Sequence, residues 1–546
     1  MANFRKHYSK LIFLILVAAI LLPYGCASIQ QPTGGPKDSI PPKVLKETPA
    51  NLTRNFNAKQ INIQFDEYVK LKDEFKEISM SPAPDKMPLF KIVKKTLEIK
   101  LQDTLEKNTT YTINFGKGLV DYNEGNILKN YSYVFSTGNM LDSLTISGKV
   151  INTITKKPIL DATVFILPIS RDTIFGKKRA SIFTSTDSSG NFSLKNLKED
   201  TYRIYALKET EGGDRIYNSV KEEIGFLKDS IVLKSDVKDL LLETFNEEPE
   251  NFRIMDKKIT NDGHILLAFN KGIEKPSVKI VDPADLDSRK AVEFNRKADS
   301  VSLWLPEIKF DSIAIAVNDS SKALDTALIR RGKKDTYKNE VTISDNLASG
   351  KIKSKSDLLL TFSAPIAGFD VNKMTLAEDS IPVGGFKLVR DTASVRRYKL
   401  TFPWRLKRNY NITIADNAIT GIDGGKNKAY NKAFTAYVDD NIGNLILNFT
   451  VPDTAKSYVI LLLNSTGDIV RSDAINSNRA IHYTNIQAAK YNLRIVYDDN
   501  KNKKWDTGNV KKRIYPEGIW NYDKEFNIRP NWDLEEKITI PPLQNP

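Results

Sequence analysis

Along most of the chain, short segments alternate apolar and polar residues, a pattern that predicts half-buried β-strands. In residues 61–65 and again in residues 111–115, every second side chain is apolar, so one face of each strand would line a core. Asn, Asp, Gly and Lys fill the turns between such segments, and almost no segment has helical spacing. We therefore expect an all-β protein of tandem β-sandwiches.

The N-terminus departs from this pattern. Residues 11–22 are all apolar and follow a basic start, but they are too short for a spanning helix, which takes about 20 residues. We predict that residues 1–25 are a signal peptide. Residues 21–26, LLPYGC, resemble the lipobox of bacterial lipoproteins, which implies that Cys26, the only cysteine, carries acyl chains such as palmitate. An ordinary cleaved signal or a free cysteine are the alternatives.

Residues 26–42 are rich in Gln, Pro and Gly, cannot build a core, and read as a flexible tether. Domains usually hold about 100–150 residues, so the rest of the chain predicts four or five of them. We expect them to follow one another like beads on a string.

The first predicted domain spans residues 43–138. It contains IQFDEYV at 63–69, YTI at 111–113 and DYNEGN at 121–126. These segments, with the prolines at 41–42, resemble the bacterial Ig-like domain, related to S-layer domains, that opens many lipoproteins of the Bacteroidota. The resemblance implies a lipid-anchored protein of the outer membrane. Whether it faces the surface or the periplasm stays open, because the acidic residues that follow the cysteine in surface-exported relatives are absent.

The second predicted domain spans residues 144–234. Gly190 suits a turn that needs positive φ, and Phe192, Leu194 and Leu197 would fill a small core. The segment is similar to carboxypeptidase-regulatory-like, or transthyretin-like, domains. That resemblance implies a structural or adhesive module without peptidase activity, since the zinc-binding His and Glu of a carboxypeptidase have no counterpart here.

Three more domains complete the prediction. Residues 250–335 read as a divergent β-sandwich. Residues 340–438 read as a divergent Ig-like domain, because residues 410–414 and 423–427 resemble residues 111–115 and 121–126. Residues 441–546 read as a C-terminal β-sandwich.

One loop of the last domain suggests metal chemistry. Asp498, Asn500, Asn502 and Asp506 occupy positions one, three, five and nine of a calcium-type loop. Lys503 stands where such loops usually have Gly, and Asn509 stands where they have a bidentate Glu. The loop is thus a candidate calcium site, and the alternative is a long hairpin in which the two Asp side chains cap turns.

The sequence offers little material for catalysis. After the signal peptide only His264 and His482 remain, in different predicted domains, and Cys26 is assigned to lipid attachment. Gly-rich phosphate loops and nucleophile elbows are absent. A carboxylate-pair glycosidase stays open on composition, but a row of small sandwiches suggests no deep cleft. We therefore predict no catalytic residues, no enzyme activity, no cofactor other than the candidate calcium, and no other metal site.

The formal net charge is +14, but Lys alternates with Asp and Glu throughout. A solvated surface explains this balance, and contact with anionic headgroups is the alternative. Exported proteins rarely meet DNA, so we expect no nucleic-acid partner.

Two functions remain. The first is a non-catalytic lipoprotein that acts as a scaffold or accessory subunit of an envelope complex, with an outer-membrane protein as partner and protein assembly or export as the setting. The second is a surface glycan-binding lipoprotein, which needs exposed aromatic side chains on one face. Trp505, Trp520 and Trp532 are the candidates for that face.

Overall fold

The protein is described here from a computed structural model that covers residues 38–82, 84, 86–210 and 213–543. The predicted signal peptide, Cys26 and most of the tether lie outside these residues. The chain forms two compact units, one up to Leu141 and the other from Asp142 onward. The described residues are almost entirely β-strands arranged in many sheets, which confirms the all-β prediction. The limits of the five predicted domains stay predictions.

The first unit contains a β-sandwich. Its two sheets have the strand orders β1-β2-β6-β5 and β4-β7-β9, and β3 pairs with β8 in a separate two-stranded ribbon. The alternating segments of the sequence analysis lie in β2 and β7, and Ile61, Ile63 and Phe65 are fully buried in the core. The elements are β1 Val44–Thr48, β2 Gln60–Phe65, β3 Val69–Leu71, α1 Glu74–Glu77, β4 Ser79–Ser81, β5 Leu89–Val93, β6 Thr96–Lys100, β7 Thr110–Asn114, β8 Leu119–Asp121 and β9 Ser132–Ser136.

The second sandwich opens the second unit. In it, β10 lies between β13, which is antiparallel to it, and β17, which is parallel. A further set of strands has the order β12-β11-β14-β15, with β16 also on β14, and pairing of β15 with β17 joins the two sets. Gly190 has φ +77° in the expected turn. The strands are β10 Leu144–Asn152, β11 Thr163–Pro168, β12 Ile182–Ser185, β13 Asn191–Leu197, β14 Asp200–Lys208, β15 Glu223–Phe226, β16 Ile231–Leu233 and β17 Val237–Asn246, with a 3₁₀ turn at Ile169–Ile174.

The third sandwich repeats the strand order of the first. Its sheets are β18-β19-β22-β21 and β20-β23-β24, which match β1-β2-β6-β5 and β4-β7-β9 position by position. The elements are β18 Ile254–Ile259, β19 Ile265–Phe269, β20 Pro276–Asp282, a 3₁₀ turn at Ala284–Arg289, β21 Ala291–Phe294, β22 Ser300–Trp304, β23 Ser312–Asp319 and β24 Lys322–Arg330.

The fourth sandwich repeats the order again and extends it. Its sheets are β26-β28-β33-β32 and β27-β37-β34-β30-β31, and β25-β36-β35-β29 takes the place of the ribbon. The elements are β25 Glu340–Val341, β26 Ile343–Asp345, β27 Lys351–Lys353, β28 Leu358–Phe362, β29 Ile366–Phe369, a 3₁₀ turn at Val371–Lys373, β30 Met374–Glu378, β31 Ile381–Val383, β32 Lys387–Arg390, β33 Arg397–Thr401, β34 Asn409–Ile414, β35 Ile419–Gly421, β36 Lys426–Asn427 and β37 Tyr430–Tyr437.

A tyrosine in each of the first and fourth sandwiches supports their predicted likeness. The hydroxyl of Tyr111 accepts a hydrogen bond from the backbone N–H of Glu106 at 2.9 Å, and that of Tyr410 accepts one from Arg405 at 2.7 Å. Both tyrosines are the second residue of their strand and bond five residues upstream. This is the geometry of a tyrosine corner, a device found in Ig-type sandwiches.

The last sandwich repeats the second sandwich, which the sequence analysis does not predict. Here β38 lies between antiparallel β41 and parallel β45, and the other sheet has the order β40-β39-β42-β43 with β44 also on β42. Each of these strands has a counterpart from β10 to β17 in the same sequence order. The strands are β38 Ile442–Thr450, β39 Ser457–Asn464, β40 Ile469–Ile475, β41 Arg479–Gln487, β42 Lys490–Asp498, β43 Ile519–Asn521, β44 Phe526–Asn527 and β45 Asp533–Thr539.

The expectation of beads on a string is wrong for the second unit. The last sandwich packs against the second, although two other sandwiches separate them in sequence. Thr507 donates a hydrogen bond to the backbone carbonyl of Asn246, and Val510 lies in an apolar cluster with residues of the second sandwich. The chain therefore continues from the second sandwich through the third and fourth, and the last sandwich then packs against the second.

Candidate functional site

The candidate calcium residues, Asp498, Asn500, Asn502 and Asp506, lie at the end of β42 and in the loop of residues 499–518 that connects β42 to β43. Asp498, the last residue of β42, is only 1% exposed. Its carboxylate accepts hydrogen bonds from the Ser457 hydroxyl at 3.0 Å and from the backbone N–H groups of Asn502 at 3.0 Å and Lys503 at 3.1 Å. Asp498 thus fixes the first turn of the loop.

Lys503 occupies the position at which calcium loops usually have Gly, and it has φ +65°. This is the left-handed conformation for which Gly is usually selected. Asp498 stabilises that turn by accepting the Lys503 N–H. The departure from the calcium pattern at this position therefore changes the residue but keeps the backbone turn.

The structure brings the other predicted residues together. The side-chain amides of Asn500 and Asn502 both donate to Oδ2 of Asp506, the latter at 2.7 Å. The oxygens of both Asn side chains accept backbone N–H groups of the loop, from Asn502 and Lys504. The four predicted side chains therefore form a hydrogen-bonded turn, as the hairpin alternative expects.

Glu517 belongs to the same loop and was missed from the sequence. It is 8% exposed, and its carboxylate accepts hydrogen bonds from the N–H groups of Asp499 at 2.9 Å and Asp506 at 3.0 Å. Burial raises the pKa of the Glu517 carboxyl, and the nearby carboxylates add to this rise. Glu222, the residue before β15 in the second sandwich, is also buried and also accepts two backbone N–H groups of its loop. The sequence gives no signal for Glu517, because its partners Asp499 and Asp506 lie across the loop.

Among the residues that the structure describes, no group of three or more His, Cys, Asp or Glu is arranged to hold a metal ion. Asn side chains also supply oxygen ligands for calcium, so the donor chemistry of the loop fits a hard cation. Calcium binding at Asp498, Asn500, Asn502 and Asp506 therefore stays a prediction.

The second half of the loop lies on the second sandwich. The Thr507 hydroxyl donates to the Asn246 carbonyl at 2.5 Å, and the N–H of Val510 donates to Oε1 of Glu247 at 2.6 Å. Val510 is 2% exposed and inserts into an apolar group that we call the joint cluster. Its buried members are Phe165, Leu167, Ala180, Phe183, Tyr205, Leu207, Tyr217, Ile224, Phe226, Phe245 and Val510.

Arg513 and Tyr515 add further contacts between the loop and the second sandwich. Arg513 donates from Nε to the Lys228 carbonyl at 3.1 Å and from Nη2 to the Leu227 carbonyl. Its guanidinium lies 4.9 Å from the ring centroid of Phe226, and the Tyr515 ring stacks on Phe226 at 5.1 Å. The Tyr515 hydroxyl also accepts the Lys228 N–H at 2.7 Å. The loop therefore combines a cation–π contact with charge-assisted hydrogen bonds.

The second sandwich also inserts a side chain into the last sandwich. We call the whole interface between these two sandwiches the joint. Ile154, from the turn after β10, packs against an apolar group of the last sandwich. The side-chain amide of Asn521 donates to the Ile154 carbonyl at 2.8 Å. The buried residues that Ile154 meets are Val459, Leu461, Leu463, Val496 and Ile519. Each sandwich thus inserts a side chain into the outer face of the other.

The sequence carries a signal for this joint. Strands β11 and β39 are buried along nearly their whole length, on both faces. Such strands read as continuous apolar runs instead of alternating ones. The runs are VFIL at 164–167 and YVILLL at 458–463.

The candidate tryptophans do not form one exposed face. Trp505 is half-buried and donates from Nε1 to the Glu517 carbonyl at 3.0 Å, whereas Trp520 packs against the core of the last sandwich. Trp532 is 62% exposed. These residues therefore give no aromatic platform for a glycan.

The two histidines lie in different sandwiches. His264 is placed by hydrogen bonds of Nδ1 with Asp262 and Thr260, both at 2.9 Å, and its ring stacks on Trp304. His482 is an exposed residue of β41. His264 is thus held by hydrogen bonds and ring stacking in a turn, and His482 is an exposed strand residue.

No helix among the described residues is long and apolar enough to cross a bilayer.

Comparison with known proteins identifies one domain. Residues 38–137 match the family model described as "Bacterial Ig-like domain". This match covers the first sandwich and agrees with the resemblance of residues 43–138. A search of the curated proteins gives no match.

Several solved structures match the chain at low identity and low TM-score. The crystal structure of the S-layer protein rSbsC(31-844) is 12% identical, with 84% of this chain and 65% of that chain covered and a TM-score of 0.16. BcpA, the major pilin subunit of Bacillus cereus, is 11% identical, with 73% and 99% covered and a TM-score of 0.14. SGBP-B of the Bacteroides ovatus mixed-linkage glucan utilization locus, in complex with a mixed-linkage heptasaccharide, is 10% identical, with 62% and 86% covered and a TM-score of 0.17. At these values the likenesses carry no information on function.

Proposed function

We propose that the protein is a non-catalytic scaffold of the bacterial cell envelope, anchored in the outer membrane by acyl chains on Cys26. In this proposal, its Ig-like sandwiches and its two carboxypeptidase-regulatory-like sandwiches, the second and the last, present surfaces to an envelope protein partner. The joint between those two sandwiches is the observation that carries the proposal.

The joint supports a mechanical role. A fully buried Val side chain stabilises by about 1.5–3 kcal/mol relative to an exposed one, and Val510 is surrounded by aromatic side chains of the second sandwich. Closing the chain on itself in this way restricts how the sandwiches move relative to one another. A restricted surface loses less conformational freedom when a partner binds, which favours tight association.

A second joint connects the third and fourth sandwiches. The Glu293 carboxylate accepts hydrogen bonds from the Ser394 hydroxyl at 2.9 Å, the Val395 N–H at 3.2 Å and the Arg396 guanidinium at 3.2 Å. Arg396 also lies 5.0 Å from the ring centroid of Trp304. The two sandwiches between the second and the last are therefore fastened to each other as well.

Membrane fractionation and affinity purification test this proposal. Cys26→Ala should move the protein from the membrane fraction to the soluble fraction, because it removes the only attachment point for acyl chains. The tagged unsubstituted protein, purified from native membranes, should recover one outer-membrane or assembly protein at stoichiometric yield. Full retention of the Cys26→Ala protein in membranes would refute the anchor, and recovery of lipid alone would refute the scaffold.

A further inference from the structure

Two large aromatic side chains of the first sandwich are exposed side by side. Tyr68 is 56% exposed and Tyr122 is 62% exposed. The ribbon register pairs Val69 with Asp121, and the N–H of Tyr122 donates to the Tyr68 carbonyl at 2.9 Å. Residues directly opposite in an antiparallel pair project from the same face. The two tyrosines therefore share one face of the β3–β8 ribbon.

Two lysines hold the tyrosines in place. Lys70, on the same ribbon face, lies 5.4 Å from the ring centroid of Tyr122 and donates to its carbonyl at 2.7 Å. Lys95 lies 5.6 Å from the ring centroid of Tyr68 and donates to the Asp66 carbonyl at 2.6 Å. The two tyrosines thus lie directly beside the paired strands β3 and β8, and each ring has a lysine ammonium group near it.

Carboxylate side chains lie near the two tyrosines. The pKa of the Glu67 carboxyl is raised by burial and by the negative charges around it. Those charges belong to Asp38, Asp66, Asp121 and Glu124. Their field disfavours polyanions and anionic lipid surfaces. Asp121 is buried and accepts backbone N–H groups of its own loop, whereas the exposed carboxylates of Asp38, Asp66 and Glu124 offer hydrogen-bond acceptors to a ligand rich in hydroxyl groups.

We propose that Tyr68 and Tyr122 form the stacking platform of a binding site for a neutral polysaccharide. The tyrosine rings contact the apolar C–H faces of successive sugar rings, while the carboxylates and the two lysines hydrogen-bond to sugar hydroxyls. The arrangement suits an extended chain because the site is an open face. It differs from the tryptophan face of the sequence analysis in both residues and sandwich.

Native gel electrophoresis with polysaccharide in the gel tests this site on the full chain carrying Cys26→Ser. The probes are barley β-glucan, xylan, galactomannan and dextran, with alginate and heparin as anionic comparisons. We expect at least one neutral probe to retard the protein. Tyr68→Ala combined with Tyr122→Ala should weaken that binding by about tenfold or more, as loss of a central contact pair usually does.

Two controls separate stacking from other effects. Trp532→Ala removes an equally exposed aromatic side chain in another sandwich and should leave retardation unchanged. Tyr68→Phe with Tyr122→Phe keeps both rings and should retain binding. Circular dichroism verifies that each variant is folded.

Three results would overturn the inference: retardation by none of the neutral probes, retardation by the anionic probes alone, or unchanged binding after both tyrosines become alanine. The protein used lacks the acyl group, and no partner protein is present. Failure here is therefore distinguishable from failure of the proposed anchor and scaffold.

Discussion

At the scale of single residues, Gly508 shows how closely the two sandwiches meet. A Cβ atom at this position would lie 2.6 Å from Cζ of Phe245 and 2.7 Å from the Ile514 carbonyl oxygen. One of these neighbours belongs to the second sandwich and the other to the loop's own backbone. One of these neighbours must shift to admit even a methyl group at residue 508, and either shift would disturb the joint.

We predict that Gly508→Ala weakens the joint by about 1–3 kcal/mol, the usual cost of overpacking a close contact. The measurement is amide hydrogen exchange of residues 499–518, because local opening sets the exchange rate. Gly384→Ala is the matched control, since its added Cβ would have no neighbour within 4 Å. Equal exchange in the two variants would show that Gly508 is not under this constraint.

The calcium hypothesis makes a separate residue-scale prediction. Millimolar calcium should raise the midpoint of thermal unfolding of the full chain, because a ligand that binds the folded state alone stabilises it, by about 2.7 kcal/mol at a hundred times Kd. Asp506→Asn should abolish this shift. Asp468→Asn, which changes an exposed turn of the same sandwich, should leave it intact. No shift in the unsubstituted protein would show that the loop does not bind calcium at this concentration.

At the scale of elements, the sequence predicted the repeated Ig-like order best. Burial alternates in the same way along residues 61–65 and 358–362, although Leu359 makes the second segment less regular in sequence, and both segments lie in the second strand of their first sheet. Tyr111 and Tyr410 gave the second point of comparison, because a tyrosine corner depends on local backbone geometry. Patterns of this kind are visible in sequence since they arise within a few residues of one strand.

The joint was not predicted, for a physical reason. A strand buried on both faces has a continuous apolar run, as in β11 and β39, but the run does not say which segment covers the outer face. The covering residue of β11 is Val510, which is distant in sequence and stands in a polar loop. Glu517 was missed for a related reason, because its partners Asp499 and Asp506 lie across a loop whose path the sequence does not reveal.

Val510→Asp should open the joint, because it would place a carboxylate among the aromatic side chains of the joint cluster, where a charge without a partner is strongly disfavoured. We expect faster hydrogen exchange across residues 507–516 and at residues 226–228, with the strands of both sandwiches still protected. Lys511→Asp introduces the same side chain at the exposed neighbouring position and should change little. If both variants exchange like the unsubstituted protein, Val510 does not hold the two sandwiches together.

At the scale of the whole molecule, the second unit is four sandwiches connected by joints as well as by the chain. The last sandwich returns to the second, and Glu293 fastens the third to the fourth. This architecture explains how a chain without disulfides within residues 27–546 can restrict its domains by packing alone. It also explains why apolar residues lie on the outer sheet faces of the second and last sandwiches.

Cutting the chain tests this closure most directly. A protease site is inserted between Tyr437 and Ile442 of the full chain. Cleavage there breaks the covalent connection between the last sandwich and the rest of the chain, so that only non-covalent contacts hold them together. We expect both fragments to elute together from a sizing column after cleavage, and Val510→Asp to release the C-terminal fragment. Separate elution of that fragment from the cleaved, otherwise unsubstituted protein would contradict the joint and the scaffold built on it.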